Sequence, residues 1–137
     1  MPAEQNRRLH ERYIEEMNRE NFDFLDEYLA PGYVMHGAGI EIEGPDAFKD
    51  YVKTMTSAFS ELERRAEEII ATDDRVVTRW AGRAKHTGEF AGIPPTNREV
   101  TITGIIISRI EDGQAVEEWE EIDRLGLLEQ LSAPSGA

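Results

Sequence analysis

The residues best suited to proton chemistry gather near the end of the chain. Residues 117–123 read Glu-Glu-Trp-Glu-Glu-Ile-Asp, an acidic run around one tryptophan. A carboxylate set on an aromatic wall is partly desolvated, and desolvation lifts its pKa toward the range useful to a general acid/base. His86 and His36 could complete a proton-handling set with such an acid. Each candidate has a plainer reading. A lone histidine is more often structural than catalytic, and most strand glutamates are simply solvated. Asp123 directly precedes Arg124-Leu125-Gly126-Leu127, so it can also cap a terminal helix. On the residues alone the cap is the stronger reading, and Glu120 and Glu121 are rivals for the acid. His10, next to core Leu9, is expected at the surface. No H-x-H or H-x-x-x-H spacing supports a metal site. No G-x-S-x-G, P-loop or G-x-G-x-x-G supports nucleophilic, phosphoryl-transfer or nicotinamide chemistry. No cofactor is expected.

These candidates sit on elements that the chain spells out. Asp112-Gly113 between two alternating runs, 99–110 and 114–122, predicts a β-hairpin. Ahead of it Gly88, Gly92, Pro94 and Pro95 punctuate a loop that cannot be helix. Along 75–86, alternation puts Val76, Thr78, Trp80, Gly82, Ala84 and His86 on one face. The opposite face, with Arg75, Arg79, Arg83 and Lys85, belongs to solvent. Along 114–123 one face holds Glu117, Trp119, Glu121 and Asp123, and the other Val116, Glu118, Glu120 and Ile122. If Trp119 faces a cavity, Asp123 and Glu121 share it with Trp80 and His86. His36 is then expected to enter the same cavity from its open end.

The first half reads as helix. Leu9, Tyr13 and Met17 recur four apart within 5–19, with Ile14 beside them. Asn21 is placed to cap a shorter helix to residue 29, stopped by Pro31-Gly32. Residues 33–36 look extended and run into a turn at 37–39. Pro45 opens a third helix whose stripe is Phe48, Val52, Met55 and Phe59, joined by Tyr51. Strands at 62–71 and 75–86 flank a turn at 72–74. A helix at 125–131 and a disordered tail at 132–137 close a single domain spanning 1–137. Helices first and strands after argue an α+β fold, a cone-shaped curved antiparallel sheet with the N-terminal helices packed on its concave face. Such a cone leaves a cavity for a small ligand. Tyr13, Met17, Trp80, Phe90, Trp119 and Glu121 are its candidate walls.

Composition narrows the partners. A chain of 137 residues can bury a real core without staples. A formal net charge of -13 argues against nucleic acid and against anionic membranes. No run approaches a membrane span, and the first residues do not resemble a signal peptide. With no cysteine there is no disulfide, thiolate metal site or thiol catalysis, and a cytoplasmic protein is expected.

Four blocks carry a family resemblance: RYIEEMNRENFDFLDEYLAPGYVMH, DDRVVTRW, HTGEFAGIPPTNREVTITGI and RIEDGQAVEEWEEIDRLGLLEQL. In this order, over about residues 8–131, they resemble the SnoaL-like polyketide cyclases, or ester cyclases, of the nuclear-transport-factor-2-like superfamily. The resemblance implies a cone-shaped fold, a dimer formed through the sheet, and cofactor-free closure of a polyketide ring by intramolecular aldol chemistry. The ligand would be a small, apolar, carbonyl-rich molecule. By position, Asp123 and Trp119 match the family's aspartate and tryptophan, and His36 and His86 its pocket histidines. Many relatives carry an aspartate directly after the tryptophan and a polar residue in the T-G-I-x-I strand. Here those positions are Glu120 and Ile106, so the acid falls at Asp123 or at Glu120. A binding domain without catalysis is the rival reading.

Overall fold

The computed structural model describes residues 2–37 and 39–133. Ala38 of the expected 37–39 turn, and residues 134–137 of the expected disordered tail, lie outside them. Ser132 ends the last helix rather than beginning a tail.

Helix α1 (Pro2–Asn18) is followed by a 3-10 turn (Phe22–Phe24) and the single-turn α2 (Leu25–Tyr28). Strand β1 (Leu29–Gly37), β2 (Ile40–Glu43) and α3 (Pro45–Ala58) complete the first half. Then come β3 (Phe59–Ala71), β4 (Arg75–His86), β5 (Glu99–Glu111), β6 (Gln114–Ile122) and α4 (Arg124–Ser132). The six strands form one curved sheet in the order β2-β1-β6-β5-β4-β3. Its neighbours are antiparallel except β1 and β6, which run parallel. That one pair departs from an all-antiparallel expectation.

The Asp-Gly hairpin forms as its chemistry requires. Asp112 and Gly113 both take positive φ, 52° and 76°, the twist that joins two right-handed strands most directly. A register shift between Arg109 and Ile110 leaves Val116 as an extra residue on β6, just past the turn.

Three local expectations differ. Helix α2 stops at Tyr28, and the chain passes into β1 through Pro31-Gly32 instead of ending there. Pairing with β6 is interrupted between Leu29 and Val34, which accommodates a proline with no N–H to donate. Asn21 caps nothing; its amide donates to the Glu16 carboxylate. Phe59 is fully buried as expected, but it opens β3 and does not end the α3 stripe.

Two apolar clusters hold the concave side. One joins Met17, Tyr28, Tyr33, Phe48 and Val52 beneath α1 and α3. The other joins Phe59, Ala84, Val100, Ile102, Leu127 and Leu131 beneath α4. The cavity is lined from both. Among the described residues no helix is long and apolar enough to cross a membrane.

Candidate active site

The cavity has a volume of about 80 Å³. That is below the range usual for drug-sized ligands, so a large ligand must part its walls. Buried residues His10, Phe48, Val52, Thr78, Ile102 and Ile106 make its floor. Tyr13, Ile14, Tyr51, Met55, Leu62, Arg64, Trp80, Glu120 and Ile122, each partly accessible, complete the lining.

Its one carboxyl belongs to Glu120, which projects inward from β6. Burial pushes this acid up to about 7, and the nearby Glu118 carboxyl adds to the rise. Two contributions oppose it: the Trp80 indole donates to Glu120 Oε2 at 3.1 Å, and the Arg64 guanidinium attracts the anion. Trp80 can lie flat there because its neighbours are glycines. A Cβ on Gly82 would stand 3.3 Å from Cζ3 of the ring, and one on Gly104 3.0 Å from Cε2 and Nε1. Arg64 makes no ion pair among the described residues.

Behind the cavity lies a buried polar chain. His10 Nδ1 stands 3.2 Å from Tyr28 Oη. The Glu118 carboxylate accepts from Tyr28 (3.4 Å), from Tyr33 (2.6 Å) and from Ser108 at close range. Burial raises the Glu118 pKa, against the pull of the three hydroxyls. Burial also drives the His10 imidazole down to about 4, so it is neutral at pH 7. His10 was expected at the surface, and this is a correction: it is 1% exposed. The signal was present in the spacing, since residues 6, 10, 13 and 17 form one helical stripe.

Of the candidate walls, Trp80 and Tyr13 line this cavity. The face assignment of β4 is correct, with Val76, Thr78, Gly82, Ala84 and His86 buried. That of β6 is inverted. Glu118, Glu120 and Ile122 face inward, while Trp119 is 37% exposed and Glu121 lies on the outer face. His36, in register with Trp119, stacks on it at 5.6 Å outside the sheet. There its Nε2 donates to Glu117 (2.7 Å), and its Nδ1 lies 3.2 Å from Glu41. His36 therefore does not enter the cavity.

His86 is on the concave side but walled off from it. Its Nδ1 accepts from the Thr96 amide at 3.2 Å, and its ring packs 5.4 Å from Phe59. Phe90 packs on Phe59 and under the Arg124 guanidinium, and Met17 sits in the first core cluster; neither lines the cavity. Asp123 is exposed and caps α4, its Oδ1 accepting from the Gly126 amide at 2.9 Å. The plain reading of Asp123 holds, and the cavity's carboxyl is Glu120. Among the described residues no three His, Asp or Glu side chains gather as metal ligands would.

The sequence profile of the SnoaL-like polyketide cyclases matches residues 7–131. The chain is 36% identical to the aklanonic acid methyl ester cyclase DauD of Streptomyces sp. (strain C5), over 80% of this chain and 68% of that protein. It is 31% identical to the nogalonic acid methyl ester cyclase of Streptomyces nogalater, over 88% and 92%. The crystal structure of a SnoaL-like polyketide cyclase from Jannaschia Sp. CCS1 has the same fold, with a TM-score of 0.89 at 24% identity over 96% and 94% of the chains. A carboxyl poised in an apolar cone, a matching profile and two cyclases above 30% identity agree: the chain belongs to the SnoaL-like polyketide cyclase family.

Proposed function

We propose that this protein closes a ring on an aromatic polyketide methyl ester by cofactor-free intramolecular aldol addition, with Glu120 as the acid/base. The observation that carries this reading is the Glu120 carboxyl, open to an apolar cavity and held near neutrality. A C–H flanked by carbonyls on a conjugated system is already acidic. A carboxylate with a pKa of about 7 is a well-matched base for it. The same group, once protonated, can return the proton to the new alkoxide. Arg64, uncommitted on the same wall, favours the anionic enolate. Neutral His10 offers a polar contact on the floor without adding charge.

The substrate class follows from the relatives, which are named as methyl ester cyclases. A polycyclic ester exceeds the cavity, so the reacting end enters as partly accessible walls such as Ile14, Tyr51, Met55 and Leu62 part. A binding domain without catalysis would need no titrating group at this point, and the poised Glu120 favours the enzyme.

The test is Glu120→Gln assayed with aklanonic and nogalonic acid methyl esters. Turnover should fall by roughly 10²–10⁴-fold with the fold intact. A variant retaining more than about a tenth of the activity removes Glu120 from the mechanism.

A homodimer would have a suitable face on this protein. Ile70, Val77, Ile107, Trp119 and His36 form one cross-strand row on the sheet's outer side, where Ile70, Ile107 and Trp119 are exposed. A second copy covering this row would bury that apolar surface. Ile107→Glu should then halve the mass seen by sedimentation, and an unchanged mass assigns the face to something else.

A further inference from the structure

We propose that the Thr78 hydroxyl is a second catalytic group, donating a hydrogen bond to the ketone oxygen that becomes the alkoxide as the ring closes. The inference deepens the reading above and rests on Glu120 as the base.

Thr78 is fully buried, and its Oγ1 has no hydrogen-bond partner among the described residues. An unmet buried hydroxyl is costly, and valine would fill the same strand position without that cost. Among the described residues His86 Nε2 is likewise orphaned, but His86 does not line this cavity, whereas Thr78 does. A donor kept there at a cost to stability has a partner that arrives with the ligand.

The register puts this hydroxyl where the chemistry needs it. Glu120 pairs with Ile106, and Ile106 pairs with Thr78, so the three form one inward-facing row across β6, β5 and β4. Two interstrand spacings separate the outer pair, about 10 Å between their Cα atoms. Allowing for both side chains, the gap above Ile106 is about one ring wide. Ile106, with no polar atom, lines that gap without competing for either group.

A closing ring placed over Ile106 has its acidic C–H at Glu120 and its ketone oxygen at Thr78. The Glu120 carboxylate takes the proton as the C–H bond breaks. The freed pair forms the new C–C bond at the ketone carbon, and the C=O π pair moves onto oxygen, where the Thr78 O–H stabilises it. The proton held by Glu120 is then returned to that oxygen. The step is an isomerisation and needs no co-reactant.

The test compares Thr78→Val and Thr78→Ser with wild type, using the aklanonic and nogalonic acid methyl esters. Thr78→Val should keep or raise the melting temperature, because the hydroxyl has no protein partner. Its kcat should fall roughly 10- to 100-fold with little change in KM, and Thr78→Ser should restore most of the loss. If Thr78→Val keeps wild-type kcat while Glu120→Gln is inactive, the Thr78 proposal fails and the parent reading stands. If Glu120→Gln stays active, the base assignment fails, and the Thr78 variants alone judge the oxygen contact. A Thr78→Val protein that melts several degrees lower would make the hydroxyl structural and overturn the proposal. Should wild type convert neither ester, tryptophan-fluorescence titration reads the same contact. Thr78→Val must then bind the esters more weakly than wild type and Thr78→Ser. Equal binding, or none by any form, overturns it.

Discussion

Trp80 and Glu120, forty residues apart and two strands away from each other, meet through a single 3.1 Å hydrogen bond from the indole Nε1–H to Oε2. The bond favours the ionised carboxyl, while the burial that surrounds it favours the neutral one. Burial is the larger effect, and the group is left at about 7. Trp80→Phe keeps the ring and deletes the donor. The limb of the pH–rate profile assigned to Glu120 should then move upward by about half to one unit. A limb that stays in place would mean that the indole does not tune the acid.

Gly104 sets that geometry from below. A Cβ there would stand 2.9 Å from the Glu121 carbonyl oxygen as well as 3.0 Å from the indole. Gly104→Ala should cost about 1–3 kcal/mol and tilt Trp80 off Glu120. Gly32→Ala is the control, because a Cβ there meets nothing within 4 Å. Urea denaturation of the two variants checks the contrast, and equal stabilities would refute the close packing.

How far the sequence could be read depended on the range of the interactions involved. Alternation along β4 sorted Trp80 and Thr78 correctly, because its outer face carries four cations and its inner face none. On β6 both faces hold acids, and neither is apolar. What settles the choice is supplied from far along the chain. Two of the three hydroxyls that accommodate Glu118 belong to Tyr28 and Tyr33, 90 and 85 residues away. The aromatic Trp119 therefore suggested an inward face that the buried acids occupy instead. His10 was missed although its helical spacing was visible, because a histidine beside a leucine looks like a boundary residue. Asp123 was legible as a cap because capping is local, reaching only three residues along the chain.

That cap gives a separable test. Asp123→Asn should leave stability and turnover near wild type, since asparagine caps about as well. Asp123→Ala should lose about 1 kcal/mol in denaturant melts and keep its turnover. A selective loss of kcat in Asp123→Asn would return Asp123 to the chemistry.

His36 lies outside the cone, so His36→Ala should leave kcat within about twofold of wild type. Its imidazole donates to Glu117, and this contact holds the Glu117 carboxyl below its usual range. A steady-state assay is sufficient, and a large drop in kcat would contradict the placement of His36 on the outer face.

Glu120 and His10 carry opposite pH dependences that nearly cancel in the wild-type protein. Glu120 is raised from 4.5 to about 7, so its folded form binds the extra proton between those values. Its contribution is therefore fully present below 4.5 and is lost as pH rises through about 7. His10 is lowered from 6.5 to about 4, so the unfolded chain binds the extra proton in that window. Its contribution is present above 6.5 and is lost as pH falls toward about 4. Each shift corresponds to roughly 3 kcal/mol at most, over almost the same range. Glu120→Gln removes one side of the balance. It should be more stable than wild type at pH 8, by about 1–3 kcal/mol, while losing turnover. Between pH 6.5 and 4 it should also lose stability more steeply than wild type, because His10 is no longer offset. His10→Gln should do the reverse, gaining on wild type as the pH falls through that window. Urea melts of the three proteins at pH 4.5, 6 and 8 give the slopes. If Glu120→Gln proves less stable at pH 8, desolvation does not hold Glu120 near neutrality, and the case for it as the base falls too.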